Sequence, residues 1–147
     1  MQRGVATNSP DSILALIYEA AWEPDRWGVA LNAIADHLEG LDTQVLVNDH
    51  SAGPYILGRP QRLSMEAQNE YVQYWISEDP RPTIADRLPL GQCFSCHDYF
   101  NDQYVRNSRF FQDFLIPDGG RFITISRLVK TNTATVYAGL HRSSTQG

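Results

Sequence analysis

Apolar positions recur every three or four residues near the start of the chain and every second residue near its end. The sequence therefore predicts helices first and a β-hairpin last. Ile13, Leu16, Ile17 and Ala20 share one helical face, with Ser9 placed to cap the helix, Pro10 suited to its first turn and Asp11 near its positive end. Pro24 interrupts this helix. A second, over 24–38, sets Trp27, Leu31, Ile34 and Leu38 on one face, and Gly40 is placed to close it. A strand over 43–48, a turn-rich DHSAGP and a short strand over 55–57 read as a hairpin. Ser64 then caps a third helix whose apolar stripe is Met65, Tyr71, Val72 and Trp75, with Tyr74 beside it.

The segment 78–91 holds three prolines and is expected to be a long ordered loop, followed by a short central strand over 92–95. His97 or Asp98 would cap an aromatic helix carrying Phe110, Phe111, Phe114 and Leu115 as one stripe, which Pro117 stops. Gly119 and Gly120 suit the turn into a strand over 121–129, paired with 134–141 across a turn in which Asn132 tolerates a left-handed conformation. Five antiparallel strands with flanking helices give an α+β fold, a sandwich of the PAS or GAF kind.

The aromatic segment also resembles one in the N-terminal sensory half of bacterial LuxR-type transcription regulators. The residues that carry the likeness are Ser108, Phe110, Phe111, Gln112, Asp113, Phe114, Pro117 and Gly119. Residues 18–21 (Tyr-Glu-Ala-Ala), 24–27 (Pro-Asp-Arg-Trp), Tyr74 with Asp79 and Pro80, and the closing Gly139, Leu140, His141 and Arg142 are similar to the same group. The resemblance implies a small-molecule-sensing, dimerising and non-catalytic domain of the cytoplasm. It also implies that DNA is contacted only by a C-terminal helix-turn-helix domain, before which this chain, ending at Gly147, is cut short. Residues 1–147 are then one sensory domain, with 1–8 flexible and 143–147 the start of a linker.

Composition narrows the alternatives. A chain of 147 residues, 42% hydrophobic and 11% aromatic, is large enough to bury a core without staples. Its net charge of −5 and the lack of any Lys/Arg cluster argue against a phosphate-binding surface. It has neither a membrane-spanning apolar run nor a secretory signal pattern.

Cys93-Phe94-Ser95-Cys96-His97 spells C-x-x-C-H, the pattern of covalent haem attachment. A small redox, haem or metal protein built on Cys93, Cys96 and His97 is thus the alternative from another class. Against it, attachment needs an export route that the sequence does not display, and one C-x-x-C pair supplies only two of the four ligands of a structural zinc site. Partly buried thiols are the preferred reading, and no cofactor is expected. Nucleophile-elbow, zincin, dinucleotide and phosphate-loop motifs are missing, so no catalytic residue is assigned. Asp49 and His50 fall at a hairpin tip.

The remaining candidate is a pocket for a small organic ligand. Tyr71, Tyr74, Trp75, Phe94, Phe110, Phe111 and Phe114 converge on one sheet face in such a fold, and Asp79 and Tyr74 are the polar groups placed to orient a ligand. The competing reading is that these rings are packed core, which would leave a purely structural dimerisation module. Asp79-Pro80 after a tyrosine-bearing helix is also similar to acyl-homoserine-lactone-binding domains. Those domains have a later tryptophan at the lactone, whereas Trp75 is the last tryptophan here. The amphipathic first helix, around residues 13–22, is the expected homodimer surface.

Overall fold

The computed structural model describes residues 9–58 and 64–142, so the expectations for 1–8 and 143–147 fall outside the described residues. Helices α1 (Pro10–Trp22) and α2 (Trp27–His37) come first, joined by a 3-10 turn at Pro24–Arg26. Strands β1 (Asp42–Asp49) and β2 (Gly53–Ile56) form the first hairpin, and α3 (Met65–Gln73) and α4 (Arg81–Arg87) follow. The chain then runs through β3 (Cys93–Ser95), α5 (Asp102–Asn107), a π-helical turn at Phe110–Leu115, and the hairpin β4 (Phe122–Lys130) and β5 (Ala134–Arg142). All five strands join one antiparallel sheet in the order β2-β1-β5-β4-β3. This is the expected α+β architecture.

Local chemistry accounts for most element ends. The Ser9 hydroxyl accepts the Ser12 amide, Ser64 that of Ala67, and Asn101 that of Tyr104, so each helix begins where a short polar side chain satisfies an orphan donor. The cap of the aromatic segment is thus Asn101; His97 and Asp98 lie in a separate 3-10 turn. Ser108 leaves helical geometry and divides that segment into α5 and the π turn. In the π turn, Ile116 N–H donates to Phe111 C=O, five residues back, and Phe110, Phe111, Phe114 and Leu115 all become buried. The predicted stripe is present, on a different helical form.

Several expectations need correction. Residues 81–87 are helical: Pro82 lies in the first turn of α4, where no intrahelical N–H is needed, so the prolines start a helix where they were read as a loop. The strand at 93–95 is an edge strand, and β5 is central. Trp75 sits in a 3-10 turn beyond α3, because Tyr74 breaks the helix at φ −134°. Helix α2 buries Gly28, Ala30, Leu31, Ala33 and Ala35, whereas Leu38 is exposed. Its left-handed terminal residue is Glu39 (φ 54°), and Gly40 serves a different purpose: a Cβ there would collide with the Leu140 side chain. Asn132 is not left-handed; among the described residues only Glu39 and glycines have positive φ.

The sheet has helices on both sides. Helix α2 lies beside β1 with α1 packed on α2, while the remaining helical pieces cover the other face. The main core lies on that second side, where Phe94, Phe100, Phe110, Phe111 and Phe114 pack with Trp75, Ile123 and Ile125. Alternation in β5 makes Thr135, Tyr137, Gly139 and His141 buried and Val136, Ala138 and Leu140 half-buried. Gly139 lies opposite both Gln44 and Ile125, and a Cβ on it would come within 2.7 Å of Ile123 Cδ1. Gly139→Ala should therefore force Ile123 aside and lower stability by roughly 1–3 kcal/mol, measurable by urea denaturation.

Candidate functional site

A cavity of about 60 Å³ opens between the sheet and the helices on its aromatic side. Ladder register builds its sheet wall. Leu46 pairs with both Ile56 and Tyr137, Gly139 with Ile125, and His141 with Ile123, which places these residues on one face across four strands. The opposite wall is Ala67, Gln68 and Tyr71 of α3, with Phe114, Leu115 and Asp118 from the π turn and the residues after it. Asp79, Arg81 and Pro82, from the junction between the Trp75 turn and α4, complete the enclosure. The absence of a side chain at Gly139 helps keep the centre of the sheet wall low.

The junction carries a buried ion pair. Asp79 and Arg81 are 7% and 4% exposed. Arg81 donates from Nε to Asp79 Oδ1 and from Nη2 to Oδ2, both at 2.8 Å, and its backbone N–H donates to Oδ1 at 2.9 Å. The Tyr71 hydroxyl donates to Oδ2 at 2.8 Å. Four donors therefore meet a carboxylate with about four acceptor positions, so Asp79 is saturated. Burial opposes the charge on Arg81, but the Asp79 carboxylate outweighs it and keeps the guanidinium ionised. The guanidinium also lies 4.8 Å from the centroid of the Phe110 ring, a cation–π contact. Its Nη1 is buried and makes no hydrogen bond.

Burial shifts the neighbouring titratable groups. Burial, and then the Asp79 charge, push the Tyr71 phenol well above its ordinary pKa. Burial and the positive charge of Arg81 push His141 down to about 3. Tyr137 rises through burial and its hydrogen bond to Asp86. Burial, followed by the charge of Glu70, raises Asp118.

Of the residues singled out from sequence, Tyr71, Asp79 and Phe114 line the cavity. Trp75, Phe94 and Phe110 are buried core that does not reach it: Trp75 stacks on Phe114 at 5.5 Å, and Phe94 packs against Tyr99 at 5.2 Å. Phe111 is also wholly buried. Tyr74 faces outward, where its hydroxyl donates to Glu78 and accepts from Arg109, so it is not positioned to orient a molecule in the cavity. Arg81, Tyr137 and His141 had not been singled out. The signals for them were an arginine two residues after Asp79 and the alternation that puts Tyr137, Gly139 and His141 on one side of a strand.

The C-x-x-C-H sequence is dispersed. Cys93 and His97 are exposed, Cys96 is fully buried, and both thiols are free. The His97 ring stacks on Phe122 at 4.1 Å. Among the described residues no group of three or more His, Cys, Asp or Glu side chains is arranged to hold a metal. Asp49, at the hairpin tip, accepts the Ser51 and Ala52 amides, and these bonds lower its pKa. No described helix is long and apolar enough to cross a membrane.

No family model matches the sequence, and neither does any curated protein. Solved structures do match its fold. The ligand-binding domain of VqsR from Pseudomonas aeruginosa is similar with a TM-score of 0.66 at 14% identity, over 91% of this chain and 80% of that one. The N-acylhomoserine lactone-dependent LuxR-family transcription factor CepR2 from Burkholderia cenocepacia is similar with a TM-score of 0.53 at 15% identity, over the same shares. The chain thus has the fold of LuxR-type ligand-binding domains, as the resemblance implied.

Proposed function

We propose that this chain is a small-molecule-sensing and dimerisation domain of a LuxR-type transcription regulator, acting in the cytoplasm and without catalysis. The observation that carries the reading is the cavity between sheet and helices, closed by a buried charge pair, in a fold shared with ligand-binding domains. The cavity's polar groups are poor catalysts. Asp79 is saturated, the Tyr71 phenol keeps its proton, and an imidazole with a pKa near 3 is too weak a base for work at neutral pH. DNA contact is assigned to a separate C-terminal domain.

Helix α3 is the wall suited to respond. None of its residues is fully buried, and its hold on the core is chiefly Tyr71, which packs against Phe110 and Phe114 and donates to Asp79. A ligand that binds better when α3 is displaced shifts the population towards that arrangement, by as much as its affinity for the two arrangements differs.

Dimerisation is assigned to α1. Leu14, Tyr18 and Trp22 recur at four-residue steps on its outer side and are exposed, Trp22 by 88%. Native mass spectrometry of protein purified from cells tests both halves of the proposal. The expected spectrum is a dimer of 16.6 kDa subunits carrying a small bound mass. Trp22→Glu is expected to shift it to monomer. A wild-type monomer with no bound mass would leave neither sensing nor dimerisation supported.

A further inference from the structure

We propose that the surface groove between β2 and α3 is the outer part of the cavity's binding site, and that it takes the apolar tail of a small molecule whose compact end lies in the cavity. The inference rests on the sensing reading and gives the ligand its shape. Helical spacing divides α3 between two spaces. Ala67 and Tyr71 line the cavity, whereas Met65, Asn69 and Val72 line a groove of about 250 Å³ that they share with Tyr55 of β2. Gln68 and Ile56 line both. The two spaces thus meet across one residue of the helix and one of the strand. The Gln68 side chain is long and unbranched, so a change of rotamer can open the wall between them without moving the backbone.

The groove carries apolar surface that the core leaves uncovered. Met65 is 53% and Tyr55 47% exposed, with Ile56 and Val72 half-buried beside them. A tail laid against these side chains takes apolar area out of water. Size points the same way. The cavity alone, about 60 Å³, is well below the roughly 300–1,000 Å³ of drug-sized sites, whereas cavity and groove together reach the lower end of that range. Charge decides between the two flanks of α3. A cleft of about 220 Å³ on its other side also borders the cavity, but it is lined by the carboxylates of Glu66, Glu70, Asp113 and Asp118, and its Phe114 ring is stacked on both Tyr71 and Trp75. Desolvating those carboxylates opposes an apolar tail there. Among the described residues no charged side chain lines the β2 groove; the rest of its wall is glycine and side-chain amides.

Butan-2-one and octan-2-one test this, since they share a compact end and differ only in the length of the tail. Titrated into isotope-labelled full chain and followed by NMR, butan-2-one is expected to perturb the cavity methyls of Leu115 and Ile123, and octan-2-one to perturb these together with the methyls of Met65 and Val72. The longer ketone should bind at least about tenfold more tightly, because its further methylenes leave water for the groove. Met65→Glu and Val72→Glu place a charge in the groove at positions outside the buried core. Each is expected to lower the affinity for octan-2-one to that for butan-2-one. The two footprints on wild type stand even if a variant does not fold. Equal binding of the two ketones, an octan-2-one footprint confined to the groove while butan-2-one occupies the cavity, or a tail footprint at Asp113 and Pro117 of the acidic cleft would overturn the groove assignment and leave sensing intact. If neither ketone perturbs Leu115 or Ile123, the sensing reading falls and the inference falls with it.

Discussion

Asp79→Ala is expected to destabilise the domain by about 3–5 kcal/mol, because it leaves the Arg81 guanidinium buried without its counter-charge. The loss has three sources: two charge-assisted side-chain bonds, the backbone N–H of Arg81 at the start of α4, and the partner of the Tyr71 hydroxyl. Arg81→Met should be comparably harmful, since it strands the carboxylate. Removing both charges together should recover most of the stability, as the desolvation cost of each disappears with the other. Urea denaturation of the two single variants and the double variant measures this coupling. Additive losses would mean that the pair is not energetically linked.

Acid should weaken the fold through His141. In the unfolded chain its imidazole titrates near 6.5, whereas in the folded protein burial and Arg81 lower that value to about 3. Between these values the unfolded state holds a proton that the folded state does not, so stability falls as pH decreases. The contribution is fully present above pH 6.5 and is lost progressively towards pH 3. Its upper size is about 5 kcal/mol, since each unit of separation is worth about 1.4 kcal/mol. His141→Gln should flatten the stability profile between pH 6.5 and 4 relative to wild type. Parallel profiles over that range would show that His141 is protonated without penalty in the folded state.

The two predictions concern residues that differ in how visible they were in the sequence. Asp79 was picked out because it precedes a proline after a tyrosine-bearing helix, but its partner was not: a loop was expected where Pro82 starts α4. That misreading hid the turn that brings Arg81 back onto Asp79. Tyr74 was favoured over Tyr71 as a polar contact because it falls at the helix end, beside the aromatic cluster and the loop that carries Asp79. The break at Tyr74 sends its hydroxyl to Glu78 and Arg109 on the surface, leaving Tyr71 to meet Asp79. The rings of Trp75, Phe94 and Phe110 were correctly grouped as mutually close, yet they form core behind the cavity.

Local patterns alone determined the helix caps at Ser9 and Ser64, the two hairpins, the buried aromatic stripe and the α+β class, because each depends on residues within a turn or two of one another. Tertiary structure decided the rest. Strand order is set by which faces must be buried together, so the strand at 93–95 went to the edge and β5 to the centre. The cavity exists because residues distant in sequence, Gly139, Arg81 and Tyr71 among them, meet across the sheet. The charge states of Arg81 and His141 depend on that meeting, since burial and neighbouring charges act through space.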